Sequence, residues 1–249
     1  DAWVTVLADD QSTELGQRSL TASTAFDQEA SGTRVTNVLA NANIAYAGST
    51  SIDTGYSTLA AQTLSGDINA VQYLQEVTNS EQGYLYVSRS GVMTFENRYG
   101  PLTDAAAVTF SDDGSDVPYQ QIGRKVVSAE LFNRLTANRT GAAAVTANET
   151  ASQDSYGIRL LPLGEVLVLD DATVTNILDF LMVQTASTEV RINSLTAVLD
   201  TQSSGTQNTI AQLELADAVN VEFTPPGVSQ QTTTGTLQQI GHAFTVGET

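Results

Sequence analysis

The chain contains a single histidine, His242, and no other side chain could act as the general base of a Ser–His–Asp triad. It lies beside Ile240 and Phe244 in a segment whose apolar residues alternate, and no GxSxG motif stands near it. Alternation of this kind is typical of a strand, so a histidine in a core or an interface is the simpler interpretation. We therefore predict no catalytic residue of this type.

Acidic side chains are abundant, and two facing carboxylates are what a glycosidase requires. With 28 Asp and Glu residues, the sequence always allows such a pair. Clefts that bind sugars are usually lined with Trp and Tyr, however, and Trp3 is the only tryptophan. A carbohydrate-binding or hydrolytic module, either secreted or carried by a virion, is therefore kept as the alternative function.

The acidic run at residues 111–116, SDDGSD, resembles part of a calcium-binding loop. It lacks the spaced ligands and the distal Glu of an EF-hand, so a polar turn is the simpler interpretation, and a bound metal stays open. The chain has no cysteine, which excludes disulfides and zinc–thiolate sites. Neither glycine-rich phosphate-binding motif occurs. We expect no enzyme activity and no cofactor.

The charge of the chain restricts its function further. Its 249 residues carry a net charge of −18, whereas proteins that bind nucleic acid need Lys and Arg to displace counterions. Acidity is compatible with a channel that lets DNA pass without sticking, and equally with solubility alone. No apolar run approaches the roughly 20 residues of a membrane span. Because the sequence begins with Asp1 rather than Met, we expect a processed or trimmed piece of a longer product.

Residues 67–98 give the clearest structural signal, an amphipathic helix followed by a tight β-hairpin. Ser65 or Asp67 is placed to cap the helix, and Gly83 ends it. The buried face of the helix is predicted to consist of Ala70, Leu74 and Val77, flanked by Val71 and Tyr73.

In the hairpin the hydrophobic period changes to two, with a turn at Ser90-Gly91. One face is predicted to carry Leu85, Val87, Met93 and Phe95. Tyr84 and Tyr86 point to the opposite face. No side chain of this unit has an obvious chemical role, so the unit is interpreted as a packing element.

Other segments before residue 100 give weaker patterns. Residues 2–8 alternate as a strand, and the polar residues 11–30 are interpreted as a strand and loop that complete an upstream sheet. A helix is predicted over residues 33–44, and residues 52–64 allow a short strand. The buried stripe of that helix would contain Val35, Val38, Leu39 and Ala42.

The second half of the chain reads as strands around one long helix. Low complexity at residues 141–151 predicts an exposed loop, and short strands are expected at 156–161 and 165–169. Asp170 or Asp171 should cap the helix that follows. Its apolar positions are Val174, Ile177, Leu178, Leu181 and Met182. In the strand at 189–200 the alternation changes phase near Asn193-Ser194, which predicts a β-bulge, and another strand is expected at 219–223.

The sequence therefore predicts an α+β, sheet-rich fold. We divide it into residues 1–30, which complete an upstream sheet, a small helix-plus-hairpin module at 31–100, and an antiparallel β-domain with one long helix at 101–249.

Several short motifs occur in an order that is known from one protein family. In the helix–hairpin segment they are Leu74, Ser80-Glu81, Gly83, Leu85-Tyr86-Val87, Gly91, Phe95 and Arg98. Later in the chain they are Phe132-Asn133-Arg134, the SYGIR run at 155–159, the helix at 171–187, the strand at 190–199, Asp217, Val219, Thr224-Pro225-Pro226 and Ile240-Gly241-His242. Over about residues 31–246 this succession resembles the minor tail proteins, or tail-hub (baseplate-hub) proteins, of phages with long non-contractile tails.

The resemblance implies a structural virion protein at the distal end of the tail. Subunits of such hubs form rings, here expected as homotrimers, whose tail-tube-like β-domains have pseudo-hexameric symmetry. The partners that it implies are the tube, distal-tail, tip or fibre and tape-measure proteins. The implied roles are host attachment and DNA ejection, with DNA passing only transiently through the lumen.

Under this interpretation, the hairpin acquires a second role. One face would hold the small module to the hub, whereas Tyr84 and Tyr86 on the other face are the candidate contacts with a neighbouring subunit.

Overall fold

The computed structural model describes residues 11–126, 131–187 and 190–241. The strand predicted at residues 2–8, Trp3 and His242 lie outside the described residues. The predicted α+β class is confirmed, since the described chain combines helices with several small sheets.

The helices and strands are numbered separately, each in chain order. The helices are α1 Gln11–Leu15, α2 Ser31–Ala40, α3 Ala70–Glu81, α4 Gly100–Thr103, α5 Thr150–Tyr156, α6 Asp171–Thr185 and α7 Ser204–Ala211. The first nine strands are β1 Ser19–Leu20, β2 Ala25–Phe26, β3 Glu29–Ala30, β4 Thr50–Ile52, β5 Thr58–Leu59, β6 Gln62–Thr63, β7 Ile68–Asn69, β8 Tyr84–Val87 and β9 Met93–Glu96. The others are β10 Val108–Ser111, β11 Val117–Pro118, β12 Gln121–Val126, β13 Arg134–Arg139, β14 Val145–Asn148, β15 Leu160–Val166, β16 Val190–Thr196, β17 Ala218–Phe223 and β18 Gln231–Thr236.

These elements belong to two compact units. The first contains the described residues within 1–98 and 127–189, and the second contains those within 99–126 and 190–249. Residues 127–189, which lie within the predicted domain at 101–249, are in the first unit with residues 1–98. The reason is that α6 and the sheet β14-β13-β15 contribute to the same apolar core as α2 and α3.

The first unit is built around one apolar core. Helices α2 and α3 pack on each other, and α6 packs on β13 and β14. The strands form two three-stranded sheets, β4-β9-β8 and β14-β13-β15, and three antiparallel pairs, β1 with β7, β2 with β6 and β3 with β5. Side chains fully buried in this core include Val35, Leu74, Phe95, Leu135 and Leu178.

Residues 11–30 are more structured than their weak pattern indicates. They form α1 and the two-residue strands β1, β2 and β3, and each strand pairs with a strand between residues 58 and 69. The structure thus differs from the predicted strand and loop, because these strands find their partners within the described chain. Two residues are too few to show alternation, so these strands left no periodic signal.

Helix α3 begins at a different residue from the two predicted. Its N-cap is Asn69, whose Oδ1 accepts hydrogen bonds from the backbone N–H groups of Val71 (2.9 Å) and Gln72 (3.3 Å). Asp67 instead accepts a hydrogen bond from the N–H of Ala22. The predicted buried face is confirmed, and Tyr73 is buried with it rather than at its flank.

The β8–β9 hairpin has the predicted register. Leu85 pairs with Phe95, and Val87 pairs with Met93. Phe95 and Met93 are buried, while Leu85 and Val87 pack against the same core. This arrangement confirms the two-residue period read from the sequence.

Helix α2 is shorter than predicted. It ends at Ala40, and Ala42 is exposed beyond it, so the prediction that Ala42 belongs to the buried stripe is wrong. Ile44 is buried in its place. Arg34 is also buried on this helix, among apolar residues.

The segment predicted as a loop at residues 141–151 contains regular structure. It includes β14, which pairs with β13, and the beginning of α5, so that prediction is wrong. The two strands expected around Pro162 are instead one strand, β15, whose pairing with β13 shifts between Thr136 and Ala137. Helix α6 is confirmed with Asp170 as its N-cap, and Leu181 is half-buried rather than fully buried.

The second unit has its own, smaller core. Strands β12 and β16 form an antiparallel pair in which Gly123 lies opposite Ser194 and Arg124 lies opposite Ile192. Asn193 is therefore an extra residue on β16, which confirms the predicted β-bulge. Apolar side chains packed together in this unit include Val108, Phe110, Ile210 and Val219.

The main sheet of the second unit is mixed rather than antiparallel. Its order is β11-β10-β17-β18, with β10 parallel to both β11 and β17 and only β17–β18 antiparallel. The prediction of an antiparallel domain containing the long helix is thus corrected in both respects. A long connection between β10 and β17 permits parallel pairing, and short-range sequence patterns do not show strand direction.

Candidate functional site

The candidate site of the first unit is a buried polar network around Glu81, the last residue of α3. Its carboxylate accepts hydrogen bonds from the hydroxyl of Ser31 (2.8 Å) and the backbone N–H of Ser57 (2.7 Å). The N–H of Tyr56 lies 3.1 Å from both carboxylate oxygens. Arg98 completes the set, with its Nε 3.3 Å from Oε1 of Glu81. The two charged side chains are almost completely buried.

Arg98 lies just beyond the β8–β9 hairpin and approaches the end of α3 from there. Its guanidinium also donates to the hydroxyl of Ser57 and lies 5.8 Å from the centre of the Phe180 ring on α6. Guanidinium groups tolerate such burial because their planar donors can bind several acceptors at once. Arg98 therefore connects the hairpin to α3 and contacts α6.

The protonation of Glu81 follows from its surroundings. Burial by itself raises the pKa of the carboxyl group, but the charge of Arg98 and the hydrogen bonds from Ser57, Ser31 and Tyr56 outweigh it. The pKa of Glu81 consequently lies below its ordinary value. The carboxylate is ionised at neutral pH and is held as an acceptor.

Ser80 extends the network to Leu167, the residue that follows β15. Its carbonyl accepts from the hydroxyl of Ser57 (2.9 Å), and its own hydroxyl accepts from the N–H of Leu167 (2.9 Å) while donating to the carbonyl of Glu76. No buried side-chain N or O atom lacks a hydrogen-bond partner in the part of the chain that the structure describes. The network is thus suited to holding elements together.

A second buried cation, Arg34 on α2, was not found by sequence reasoning. Its guanidinium pairs with Glu29 and donates to the hydroxyl of Tyr73 (2.8 Å) and to backbone carbonyls of Asp27 and Ala60 (2.8 and 2.9 Å). It also stacks over Phe26, 4.8 Å from the ring centre. The only sequence feature that could have indicated its burial is its position next to Val35, within the apolar stripe of the helix.

The motif at residues 132–134 has a structural role as well. Asn133 is fully buried, and its amide donates to the carbonyl of Gly157 (2.8 Å) and accepts from the N–H of Arg159 (2.8 Å). It also donates to the hydroxyl of Ser152 (3.2 Å). Two motifs that are separate in the sequence, 132–134 and 155–159, are thereby joined by one buried side chain.

Gly83 has a steric reason to be glycine. A Cβ atom at this position would lie 2.2 Å from the backbone oxygen of Glu96, far inside the contact distance. The close approach lets the chain pass directly from α3 into β8. Gln82, the C-cap residue that follows α3, adopts a left-handed conformation with φ of 59°.

The candidate interface residues Tyr84 and Tyr86 lie on β8, at the edge of the sheet β4-β9-β8. Both are half-buried. The hydroxyl of Tyr86 donates to the Glu96 carboxylate (2.6 Å), and burial, followed by the charge of Glu96, raises the pKa of Tyr84. The structure thus brings both tyrosines to one face together with Glu96, and their contact with another subunit stays a prediction.

The acidic run at 111–116 is a turn closed by its own side chains. Asp113 accepts from the hydroxyl of Ser111 (2.6 Å) and the N–H of Ser115 (2.9 Å), which lowers the pKa of its carboxyl group. Asp112 accepts from the N–H and hydroxyl of Thr224. Across residues 11–126, 131–187 and 190–241, no cluster of three or more His, Cys, Asp or Glu side chains could hold a metal ion.

Among the described helices, none combines the length and the apolar character needed to cross a bilayer.

This chain is similar to solved structures of tail proteins. The tail protein from Neisseria meningitidis MC58 aligns over 90% of this chain with a TM-score of 0.51 and 10% identity, and the chain covers 65% of it. Prophage tail protein gp18 from Listeria monocytogenes EGD-e aligns over 87% of this chain and 60% of its own, with 12% identity and a TM-score of 0.47. The 43 kDa tail protein of prophage MuSo2 from Shewanella oneidensis aligns over 86% and 61%, with 11% identity and a TM-score of 0.48.

No protein-family model and no curated protein matches the sequence. At 10% identity, the similarity to the Neisseria protein concerns the fold, and this chain spans just under two thirds of that protein.

Proposed function

We propose that this protein is a structural component of a phage virion and forms part of the hub ring at the distal end of the tail. The main support is that 90% of the chain adopts the fold of a tail protein from Neisseria meningitidis. The order of sequence motifs over residues 31–246 supports the same conclusion independently of the structure. The hub would be a homotrimer that joins the tube to the distal-tail, tip or fibre and tape-measure proteins.

The roles of the motif residues agree with a scaffold. Glu81 and Arg98 neutralise each other inside the first unit, and Asn133 satisfies backbone groups of the 155–159 segment. Buried polar groups that are fully paired hold a fold in one arrangement. A ring that transmits force between the tail tube and the receptor-binding parts needs such fixed subunits, and it needs no reactive side chain.

The net charge of −18 is consistent with a ring through which DNA passes without binding. An acidic lumen repels phosphate groups, so DNA would move through the ring without binding to it. Host attachment and DNA ejection would then depend on the ring as a connector and gate.

The proposal is tested on particles of the phage whose genome encodes this chain. Gold-labelled antibodies against the chain should mark the tail end distal to the capsid, and cryo-electron microscopy should show three copies in a ring there. Label at the capsid or along the whole tube would contradict the hub assignment. Absence of the chain from purified virions, combined with cleavage of host cell-wall polysaccharide, would favour the carbohydrate-directed alternative.

A further inference from the structure

A groove of about 380 Å³ runs between strand β14 and helix α6 in the first unit. Its strand side is formed by residues 145–149, and its helix side by Thr175, Leu178, Asp179, Met182 and Val183. None of these residues belongs to the buried network around Glu81. The groove therefore needs a separate explanation.

Among the residues that the structure describes, no strand pairs with the outer side of β14, so the strand side of the groove is an open sheet edge. Strand β14 is the outer strand of the sheet β14-β13-β15. The N–H of Glu149 bonds to the carbonyl of Asn133 (3.0 Å), which identifies 133 and 149 as a hydrogen-bonded pair. Hydrogen-bonded and non-hydrogen-bonded residue pairs alternate along an antiparallel ladder. The backbone groups of Ala147 therefore point towards β13, whereas those of Thr146 and Asn148 point towards the open edge.

The helix side supplies an apolar floor beside that edge. Leu178 and Met182 are buried beneath the groove, and Val183 is 82% exposed at its end. Val183 thus places an exposed apolar side chain beside an open strand edge, and such edges are surfaces on which another chain can pair.

The rim of the groove is acidic. Glu149 and Asp179 are exposed, and within the described ranges neither side chain has a hydrogen-bond or ion-pair partner. Other exposed acids on these elements are engaged: Asp170 caps α6, and Asp171 pairs with Arg139. The two unpaired carboxylates therefore favour a positively charged occupant.

We propose that β14 and α6 form a docking site for an extended segment of a different protein, a segment that alternates apolar residues with Lys or Arg. The segment would add to β14 as a further strand, bonding to the outward backbone groups of Thr146 and Asn148. Its apolar side chains would pack on Val183 and on the accessible edge of Met182, and its basic side chains would reach Glu149 and Asp179. A second copy is disfavoured as occupant of this acidic rim because the chain has only 10 Lys and Arg residues against 28 Asp and Glu, and is thus a poor source of a basic strand. The inference does not depend on the tail assignment.

The site is tested with the full chain and a blocked eight-residue peptide that alternates Lys and Val. Fluorescence anisotropy should show saturable binding, and hydrogen exchange should show protection of the Thr146 and Asn148 amides. A peptide with Glu in place of every Lys should bind at least about fivefold more weakly. Equal binding of the two peptides, or no saturable binding of the Lys peptide, would overturn the proposal.

Variants separate the contributions of the backbone and of the charges. Thr146→Pro removes an outward N–H without breaking a bond to β13, and it should abolish binding, whereas Thr146→Ala keeps the N–H and should bind normally. Asp179→Lys should lower the affinity for the Lys peptide at least about fivefold. Circular dichroism and thermal unfolding establish that each variant is folded. Unchanged binding of the Lys peptide by folded Thr146→Pro would contradict strand addition at β14. Self-association of the wild type that Thr146→Pro abolishes would show that the occupant is a second copy rather than a different protein.

Discussion

Glu81 and Arg98 form an ion pair in the interior of the first unit, with 3.3 Å between Oε1 and Nε. The glutamate ends α3, and the arginine follows β9, so the pair fixes the helix relative to the hairpin that comes directly after it. Neither charge is accessible to solvent. Because each charge is shielded from water in the folded protein, loss of either partner should lower the stability of the fold.

Removal of both partners should cost less stability than the sum of the two single removals. Glu81→Gln leaves Arg98 buried without a counter-charge, and we expect the free energy of unfolding to fall by about 3–5 kcal/mol. Arg98→Met should lower the free energy of unfolding by a similar amount. The double variant should lose less than the sum of the two, as measured by urea unfolding in a double-mutant cycle. Additive losses would show that the two charges do not interact.

The same carboxylate should make stability depend on pH. Because the pKa of Glu81 is lower in the folded protein than its ordinary value of 4.5, the ionised group contributes stability above that value. This contribution should fall as the pH is lowered from about 4.5 and vanish below the folded pKa. The difference in unfolding free energy between wild type and Glu81→Gln, measured from pH 7 to pH 3, should therefore shrink on acidification. A constant difference across this range would contradict the assignment.

The close approach at Gly83 predicts a sharp difference between two glycines. Gly83→Ala places a Cβ 2.2 Å from a backbone oxygen of β9 and should destabilise the protein by about 1–3 kcal/mol. Gly66→Ala is the matched control, because a Cβ there meets nothing within 4 Å and should stabilise by up to about 1 kcal/mol. Thermal unfolding of both variants is the measurement. Equal stability of the two variants would exclude the proposed clash.

Asn133 should be needed for the structure of the 155–159 segment. Asn133→Ala removes the hydrogen bonds to the carbonyl of Gly157 and from the N–H of Arg159, each worth about 0.5–1.5 kcal/mol. Hydrogen exchange should accelerate first in α5 and at the start of β15. Asn176→Ala, at an exposed position of α6, serves as the control and should change stability by less than about 1 kcal/mol. Exchange at α5 that is unaffected by Asn133→Ala would refute the role.

The tyrosine face of the hairpin is the predicted contact between subunits. Tyr84→Ser combined with Tyr86→Ser should reduce assembly, measured as the mass of the oligomer by light scattering, and leave the isolated fold intact. Tyr86→Phe removes only the hydroxyl that bonds to Glu96 and should assemble normally if the ring itself makes the contact. Tyr156→Ser, at an exposed tyrosine elsewhere in the unit, is the control. Unchanged assembly of the double variant would argue against this contact.

Prediction from the sequence succeeded where a long periodic pattern was present. The buried faces of α3 and α6, the register of the β8–β9 hairpin and the bulge at Asn193 all follow from local spacing. It failed where elements were short or interrupted. Strands β1 to β3 have two residues each, and β14 lies in a segment of Ala, Thr and Asn whose low complexity indicated a loop.

The candidate sites show the same limit. Ser80, Glu81 and Arg98 were noticed as motif residues, but nothing in the order of residues indicated that they meet inside the protein. Arg34 was missed because arginine is mostly exposed in folded proteins, so the residue type predicts a surface position whatever its neighbours. The groove between β14 and α6 combines elements whose adjacency depends on strand pairing, which the order of residues alone does not reveal.

The sequence by itself thus determined the α+β class, the helix–hairpin unit, the long helix and the acidic character of the chain. These properties depend on residues that are close together in the chain, or on the sum of the residue types. Only the tertiary structure decided which strands pair, that α6 belongs to the first unit, and that Glu81 and Arg98 are buried together. Such choices depend on contacts between distant segments, whose free energies come from shared burial rather than from local pattern.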